Sequence, residues 1–274
     1  MCFSVHALAS GSSGNSTLVR HYDGDREHVF LIDAGIAART LNSHLAELGI
    51  DPASLAGIVL THEHTDHSRA AGPFARKHGV PVIANDATLR RVFAGGTDGP
   101  TISLPTGSEW RVGSVCVTTF PVPHDAADPV GINVCGGGYK ASLLTDLGSI
   151  TPNLAEMVRG ADLLICETNH DVHRLTTGPY PDLLKRRILS DRGHLSNEVA
   201  VKFMVEHLVH KGPCTFWLAH LSKVNNLPKL AINYARATLK LEAGVPFVLD
   251  VALRDRPSAS WTPGRSPLQL SLFV

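Results

Sequence analysis

The chain has no charge to spare, because its 25 Lys and Arg are matched by 25 Asp and Glu over 274 residues. That balance excludes a chain-wide basic surface of the kind that wraps nucleic acid by charge alone, and leaves room only for a local basic groove. Cysteine is equally sparse in information. Cys2, Cys116, Cys135, Cys166 and Cys214 are odd in number, widely spaced and without a C-x-x-C pair. Neither a disulfide framework nor a thiolate zinc site is expected from them, and small buried side chains in a reducing compartment is the reading that remains. No window approaches the roughly 18 uncharged apolar residues of a membrane-spanning helix. The start, MCFSVHALASGSSGN, has no basic region leading into a long apolar stretch, so no secretory signal is read there and a cytoplasmic location is expected. Internal repeats are missing, as is any Gly/Ser/Pro linker between positions 20 and 250. Disorder of the whole chain is excluded by its 43% hydrophobic content.

What is present is an alternation of short β-rich runs with helical patterns. Strands are expected at 3–9, 16–20 and 28–33, a helix at 36–48, a short buried strand at 57–60 and a helix at 66–78. From 101 to 145 the pattern is strand and turn, punctuated by glycine. Apolar runs of strand length follow at 162–166 and 214–219, and Ser196 with Asn197 and Glu198 opens a helix that runs to about 210. One α/β domain, 1–254, is expected. Beyond it DRPSASWTPGRSP begins a flexible tail, 255–274, that ends in an apolar peptide.

Histidine is the residue in excess, with 15 in the chain. Three of them stand in Thr61-His62-Glu63-His64-Thr65-Asp66-His67, directly after the buried run Ile58-Val59-Leu60. At a strand end, His62 and His64 point to the same side, while Asp66 and His67 enter the next helix, so one segment can feed two ions. Four residues are too few for two sites. Further donors are expected at other strand ends, and His124, Asp146 and His220 each follow an apolar run.

Asp33 in LIDAG, the H-x-H-x-D-H run, His124, Asp146 and His220 fall in the order of the motifs of the metallo-β-lactamase fold superfamily, which the chain resembles over about 3–252. The resemblance implies a four-layer αββα sandwich with a dinuclear metal site at the sheet edge. It assigns His62, His64 and His124 to one divalent ion and Asp66, His67 and His220 to a second, with Asp146 between them. Asp33 is implied to steady the loop by hydrogen bonding. The His/Asp donor set suits Zn²⁺ or Mn²⁺.

Fold leaves the substrate open, since a water activated between two metals hydrolyses lactams, thioesters or phosphodiesters. Glu167 in LICETN and His194 in RGHLSN bear on the choice. Expulsion of an alkoxide from a phosphodiester benefits from a positioned acid, and a histidine held by a carboxylate can serve. The Gly-His-Leu-Ser element resembles the corresponding element of ribonuclease Z, which implies that pairing; the plainer alternative is that His194 caps a helix and Glu167 lies on the surface. SGSSGN at 10–15, ETNHD at 167–171, RILSDRGHLSN at 187–197 and LAHLSKVNN at 218–226 resemble the compact bacterial YycJ/WalJ group. That resemblance implies 5′ exonuclease activity on double-stranded DNA and a place in mismatch repair. Asp66, His194 and Glu167 are then the catalytic candidates, with Asp66 orienting the attacking water. Asn15, Lys185, Arg186, Arg187, Ser222 and Asn225 are candidate phosphate contacts, against a hairpin turn at the first and a solvated helix face for the basic run. The other enzyme readings are hydrolysis of a small cyclic phosphodiester or thioester, and RNA processing. A non-catalytic metal-binding module is disfavoured by the full ligand set.

In the tail, Gln269-Leu270-Ser271-Leu272-Phe273 fits the pentapeptide that docks bacterial repair proteins on the β sliding clamp, with Leu and Phe filling an apolar pocket. The competing reading is a last edge strand packed on the domain. DNA, the clamp and no membrane are therefore the expected partners.

Overall fold

A computed structural model of the protein describes residues 3–96 and 99–264. The chain first lays down an antiparallel meander of β1 (Phe3–Ala9), β2 (Ser16–Asp23) and β3 (Arg26–Ile32). Asp23 pairs with Arg26, so only two residues turn the hairpin, and Gly24 supplies the left-handed φ of 60° that such a tight turn favours. Helix α1 (Ala38–Glu47) then returns the chain to β4 (Ile58–Val59), parallel to β3. The helices α2 (Thr65–Ser68) and α3 (Ala71–His78) lead to β5 (Val82–Ala84), and α4 (Asp86–Val92) leads to β6 (Thr101–Ser103), both strands also parallel.

The second half repeats this plan. Strands β7 (Glu109–Val112), β8 (Val115–Pro121), β9 (Val130–Gly136) and β10 (Tyr139–Leu144) form a meander. Parallel β11 (Leu163–Glu167), β12 (Cys214–Ala219) and β13 (Phe247–Val251) follow, connected through α5 (Pro152–Met157), α6 (Val172–Thr177), α7 (Asp182–Ile188), α8 (Asn197–Lys211) and α9 (Pro228–Glu242). Among the described residues each sheet has seven strands, the first completed by β14 (Ser260–Trp261) beside β1.

Three apolar cores show how the layers stack. Phe3, Phe30, Ile132 and Trp217 belong to the core between the two sheets. Leu41, Leu45 and Phe74 cover the outside of the first sheet with helices, and Met204, Leu208 and Leu239 do so for the second. Full burial of each such side chain is worth about 1.5–3 kcal/mol, which explains why the inner strands are apolar on both faces. This is the expected αββα sandwich.

Two local expectations are corrected. The helix expected at 66–78 is broken at Arg69–Ala70, because the carbonyls that would continue it are already taken. Asp66 O accepts from Asn15 N and His67 O from Ala34 N, both at 2.7 Å, while Ala70 N turns to Ala34 O. The second correction concerns the stretch after 254. Rather than leaving the domain as a linker, its described part, 255–264, docks: Ala7 N donates to Ala259 O, Ser258 N donates to Ala7 O, and Trp261 is 9% exposed with its ring edge-on to Phe3. Burial of that tryptophan outweighs the Pro/Ser-rich composition around it. Gln269, Leu270, Leu272 and Phe273 lie outside the described residues.

Candidate metal centre

Parallel strands deliver their C-terminal ends to one edge of the sandwich, and the candidate residues arrive on those ends. Asp33 follows β3, the 62–67 loop follows β4, Asp146 follows β10, Glu167 closes β11 and His220 follows β12. His124 comes from the antiparallel meander, after β8. Asp33, Asp146 and His220 take left-handed φ values of 61°, 58° and 53°, which bends each chain sharply as it leaves its strand.

Among the described residues four groups of donor atoms converge, each to within 4.8 Å: His62, His64 and His124; His62, His67 and Asp146; Asp66, His67 and His220; and Asp146, Glu167, His194 and His220. The rings crowd accordingly, with His62 and His67 centroids 4.2 Å apart and His62 and His64 4.6 Å apart. Nε2 of His62, His124 and His220 is buried without a hydrogen-bond partner. Buried polar atoms are rarely left so, and convergent orphaned nitrogens with a carboxylate between them fit a divalent cation. All the donors are nitrogen or oxygen.

Partners behind the candidate ligands fix which ring atom each presents. Asp33 accepts from Thr61 N at 2.9 Å, from Thr61 Oγ1 at 3.0 Å and from His67 Nδ1 at 2.7 Å, so His67 turns Nε2 toward Asp146, 2.8 Å away. His124 Nδ1 donates to Gly193 O at 3.2 Å. This is the arrangement that orients metal-binding imidazoles.

Electrostatics divides the histidines. Burial, with help from the neighbouring His67, pushes His62 well below its ordinary pKa and keeps it in the neutral form that binds metal. Burial also opposes charge on His67, yet Asp146 and Asp33 outweigh it and raise that pKa to about 10. His220 is raised in the same way by Asp146, Asp66 and Glu167. A cation in this part of the centre therefore competes with protons held by the same carboxylates.

Glu167 is fully buried, and one of its oxygens has two imidazole partners. Oε1 lies 2.6 Å from His220 Nδ1 and 2.9 Å from His194 Nδ1, while Oε2 accepts from Leu147 N and Leu195 N. Desolvation works against its charge, but the two histidines hold its carboxyl below the usual range. Burial likewise opposes charge on His194, and Glu167 overcomes it, raising the imidazole's pKa. With Nδ1 committed, Nε2 is the atom of His194 left to hand over a proton. The helix opening beyond is capped by Ser196, which accepts from Val199 N, so His194 is not its cap.

The candidate phosphate contacts are dispersed. Asn15 is a buried tie: it binds Gly11 through Oδ1, and its Nδ2 lies 2.9 Å from His67 Nε2. Ser222 and Asn225 are buried, with Ser222 Oγ accepting from Asn225 N. Lys185 donates to Thr176 O, Arg186 is exposed, and Arg187 pairs with Asp125 at 2.6 Å. Sequence reasoning missed Thr61, Asp125 and Arg192, whose guanidinium donates twice to His124 O at 3.1 and 2.9 Å. No local pattern marks them, since Thr61 and Arg192 meet His67 and His124, and Asp125 meets Arg187, only in the folded neighbourhood.

Nitrogen and carboxylate donors gathered at the strand ends of an αββα sandwich define a metal-dependent hydrolase. The family model described as "Beta-lactamase superfamily domain" matches residues 28–211, and the chain belongs to that superfamily. It is 37% identical over 234 residues to the protein named Exodeoxyribonuclease WalJ from Streptococcus pneumoniae serotype 2, covering 84% of this chain and 85% of that one. Identity to Exodeoxyribonuclease YycJ from Bacillus anthracis is 35% over 232 residues, covering 84% and 85%. Among solved structures, the metallo-β-lactamase fold protein YhfI from Bacillus subtilis matches with a TM-score of 0.68 at 19% identity, covering 94% of this chain and 99% of that one, which shows the shared fold. Among the described residues no helix is long and apolar enough to cross a membrane.

Proposed function

We propose that the protein is a two-metal exodeoxyribonuclease that degrades duplex DNA from 5′ to 3′ in cytoplasmic DNA repair. The observation that carries this reading is the shared oxygen of Glu167, which sets an imidazole acid, His194, beside the ligand His220. Thioester hydrolysis expels a thiolate, which needs no such acid, whereas a DNA alkoxide benefits from one. The names of the two curated relatives point the same way.

His62, His64 and His124 would hold one ion, Asp66, His67 and His220 the other, with Asp146 serving both. When bound, the ions, Zn²⁺ or Mn²⁺, would activate water and neutralise charge on the phosphate. Asp66 orients the attacking water, Asp33 and Thr61 fix the His67 ring, and His194 protonates the leaving oxygen from Nε2 while Glu167 balances its charge.

Metal analysis combined with a nuclease assay on 5′-labelled duplex DNA, single-stranded DNA and RNA tests the proposal. Release of nucleotides from the 5′ end of duplex DNA by protein carrying two ions per chain is expected. Activity confined to RNA or to a small cyclic phosphodiester would overturn it. A chain without net charge should bind bare DNA modestly, and docking of Gln269, Leu270, Leu272 and Phe273 on a sliding clamp would supply effective concentration instead. Deleting 269–274 is then expected to abolish clamp binding and spare cleavage of short oligonucleotides; unchanged clamp affinity rejects the docking.

A further inference from the structure

Arg187 on α7 and Asp125, the residue after His124, form an ion pair at the edge of the centre. Arg187 Nε donates to Asp125 Oδ2 at 2.6 Å, and the other carboxylate oxygen lies 3.3 Å from His124 Nε2. The carboxylate thus stands between a guanidinium and the metal-facing nitrogen of a ligand. An acid there repels a DNA backbone, which makes its presence beside a nuclease site a problem to explain. Its chemistry offers the explanation: a carboxylate is a planar anion of the kind a guanidinium fork recognises, and a phosphodiester is the other.

We propose that Arg187 binds a backbone phosphate of the DNA strand and that the Asp125 carboxylate fills this subsite until the phosphate displaces it. The inference rests on the nuclease reading and names the group within the substrate that this part of the site recognises.

The ion pair is not what holds the two segments in place. On one side, Ala127 N donates to Glu63 Oε1 at 2.9 Å, and Asp128 is bound by Asn85 at 2.7 Å and by Thr106 at 2.8 Å. On the other, Arg192 grips His124 O, and His194 N donates to Ile188 O at 2.9 Å. Breaking the pair therefore leaves both segments anchored. The partners' side chains are also open to solvent, 60% for Arg187 and 33% for Asp125, so a phosphate can reach the guanidinium without prying the fold apart. Exposed ion pairs contribute little net stability, which makes the exchange easy to reverse.

A substitution series read as kcat and KM on 5′-labelled duplex separates this role from a structural latch. Arg187→Ala should raise KM about tenfold with kcat nearly unchanged, and should reduce the salt-dependence slope by about one. Asp125→Asn removes the competing charge at constant shape and should lower KM several-fold. Arg187→Ala combined with Asp125→Asn should keep most of the rise in KM of Arg187→Ala, because the acid acts mainly through the arginine and only weakly by direct repulsion of the backbone. Arg187→Lys, which keeps the charge and loses the fork, should fall between Arg187→Ala and the wild-type chain. Direct binding of duplex by metal-loaded His194→Ala protein, with and without Arg187→Ala, should show the same roughly tenfold difference without turnover. A latch predicts that Arg187→Ala and Asp125→Asn impair alike, with matching losses of Tm, and that result overturns the proposal. Failure of the wild-type chain to cut any DNA sinks the nuclease reading and this inference together. DNA cleavage with KM indifferent to Arg187→Ala sinks this inference alone.

Discussion

Among the described residues two histidine–carboxylate clusters stand apart, and one of them has the geometry of a metal centre. In the other, where the β2–β3 hairpin meets the 113–114 turn, His21 Nε2 lies 2.9 Å from Asp23 Oδ1 and His28 Nε2 lies 3.4 Å from Asp23 Oδ2. Ser114 donates to Asp23 through both its backbone N–H and its hydroxyl. His21, Asp23 and His28 are absent from the convergent donor groups found among the described residues. The contrast teaches that residue type is a poor guide and the direction of lone pairs a good one. Around Asp23 the nitrogens turn toward the carboxylate and Ser114 satisfies it. Around Asp146 the nitrogens of several strands converge on a common space and some find no protein partner.

Substitution of the central carboxylates breaks the comparison most directly. Asp146→Asn should remove bound metal and cut turnover by about a thousandfold or more, equivalent to about 4 kcal/mol. Asp23→Asn should leave metal content and turnover as they were. Equal metal loss in both, measured by elemental analysis, would mean that the hairpin cluster is a site after all.

A finer distinction lies within the centre. His194→Ala should slow turnover by about 10²–10⁴-fold with metal content intact, the loss of an acid alone. Glu167→Gln should do the same and also weaken metal retention, because His220 loses the oxygen that orients it. Identical metal affinities in the two variants would show that Glu167 serves only the acid.

The smallest effect concerns two histidines that belong to neither cluster. Burial lowers the pKa of His6, with Arg20 adding to the effect, and burial does the same to His170, to about 4 in each case against an ordinary 6.5. The folded protein keeps them neutral where the unfolded chain takes up protons. Their contribution to stability is complete above pH 6.5 and disappears progressively as pH falls toward 4. In chelated protein, the decline of Tm over this window should be shallower when His6→Gln and His170→Asn are combined. An unchanged slope would assign the acid lability to other groups.

The candidate metal ligands were the most legible part of the sequence. His62 through His67 are contiguous, and His124, Asp146 and His220 each follow a run of strand length, so the pattern that builds the fold also marks the donors. Glu167 and His194 are 27 residues apart and needed the family resemblance to be paired. Thr61, Asp125 and Arg192 stayed hidden because their importance is a contact: Arg192 reaches a carbonyl 68 residues away. The same holds for the broken helix at Arg69–Ala70, where distant amides captured the carbonyls, and for β14, where a two-residue strand in a Pro/Ser-rich stretch has too little periodicity to register. Trp261 was the available hint.

The left-handed backbone at Asp33, Asp146 and His220 has a consequence for how such a chain can change over evolutionary time. Asp, Asn and His are the non-glycine residues most tolerant of that conformation, so backbone and metal chemistry select from nearly the same short alphabet at these places. A lineage released from catalysis is free at His62 or His64 to drift widely, but at the three bent positions it is channelled toward Asn or Gly. Loss of function in this fold would therefore leave a recognisable scar: scrambled residues in the histidine loop, and conservative ones where the strands turn.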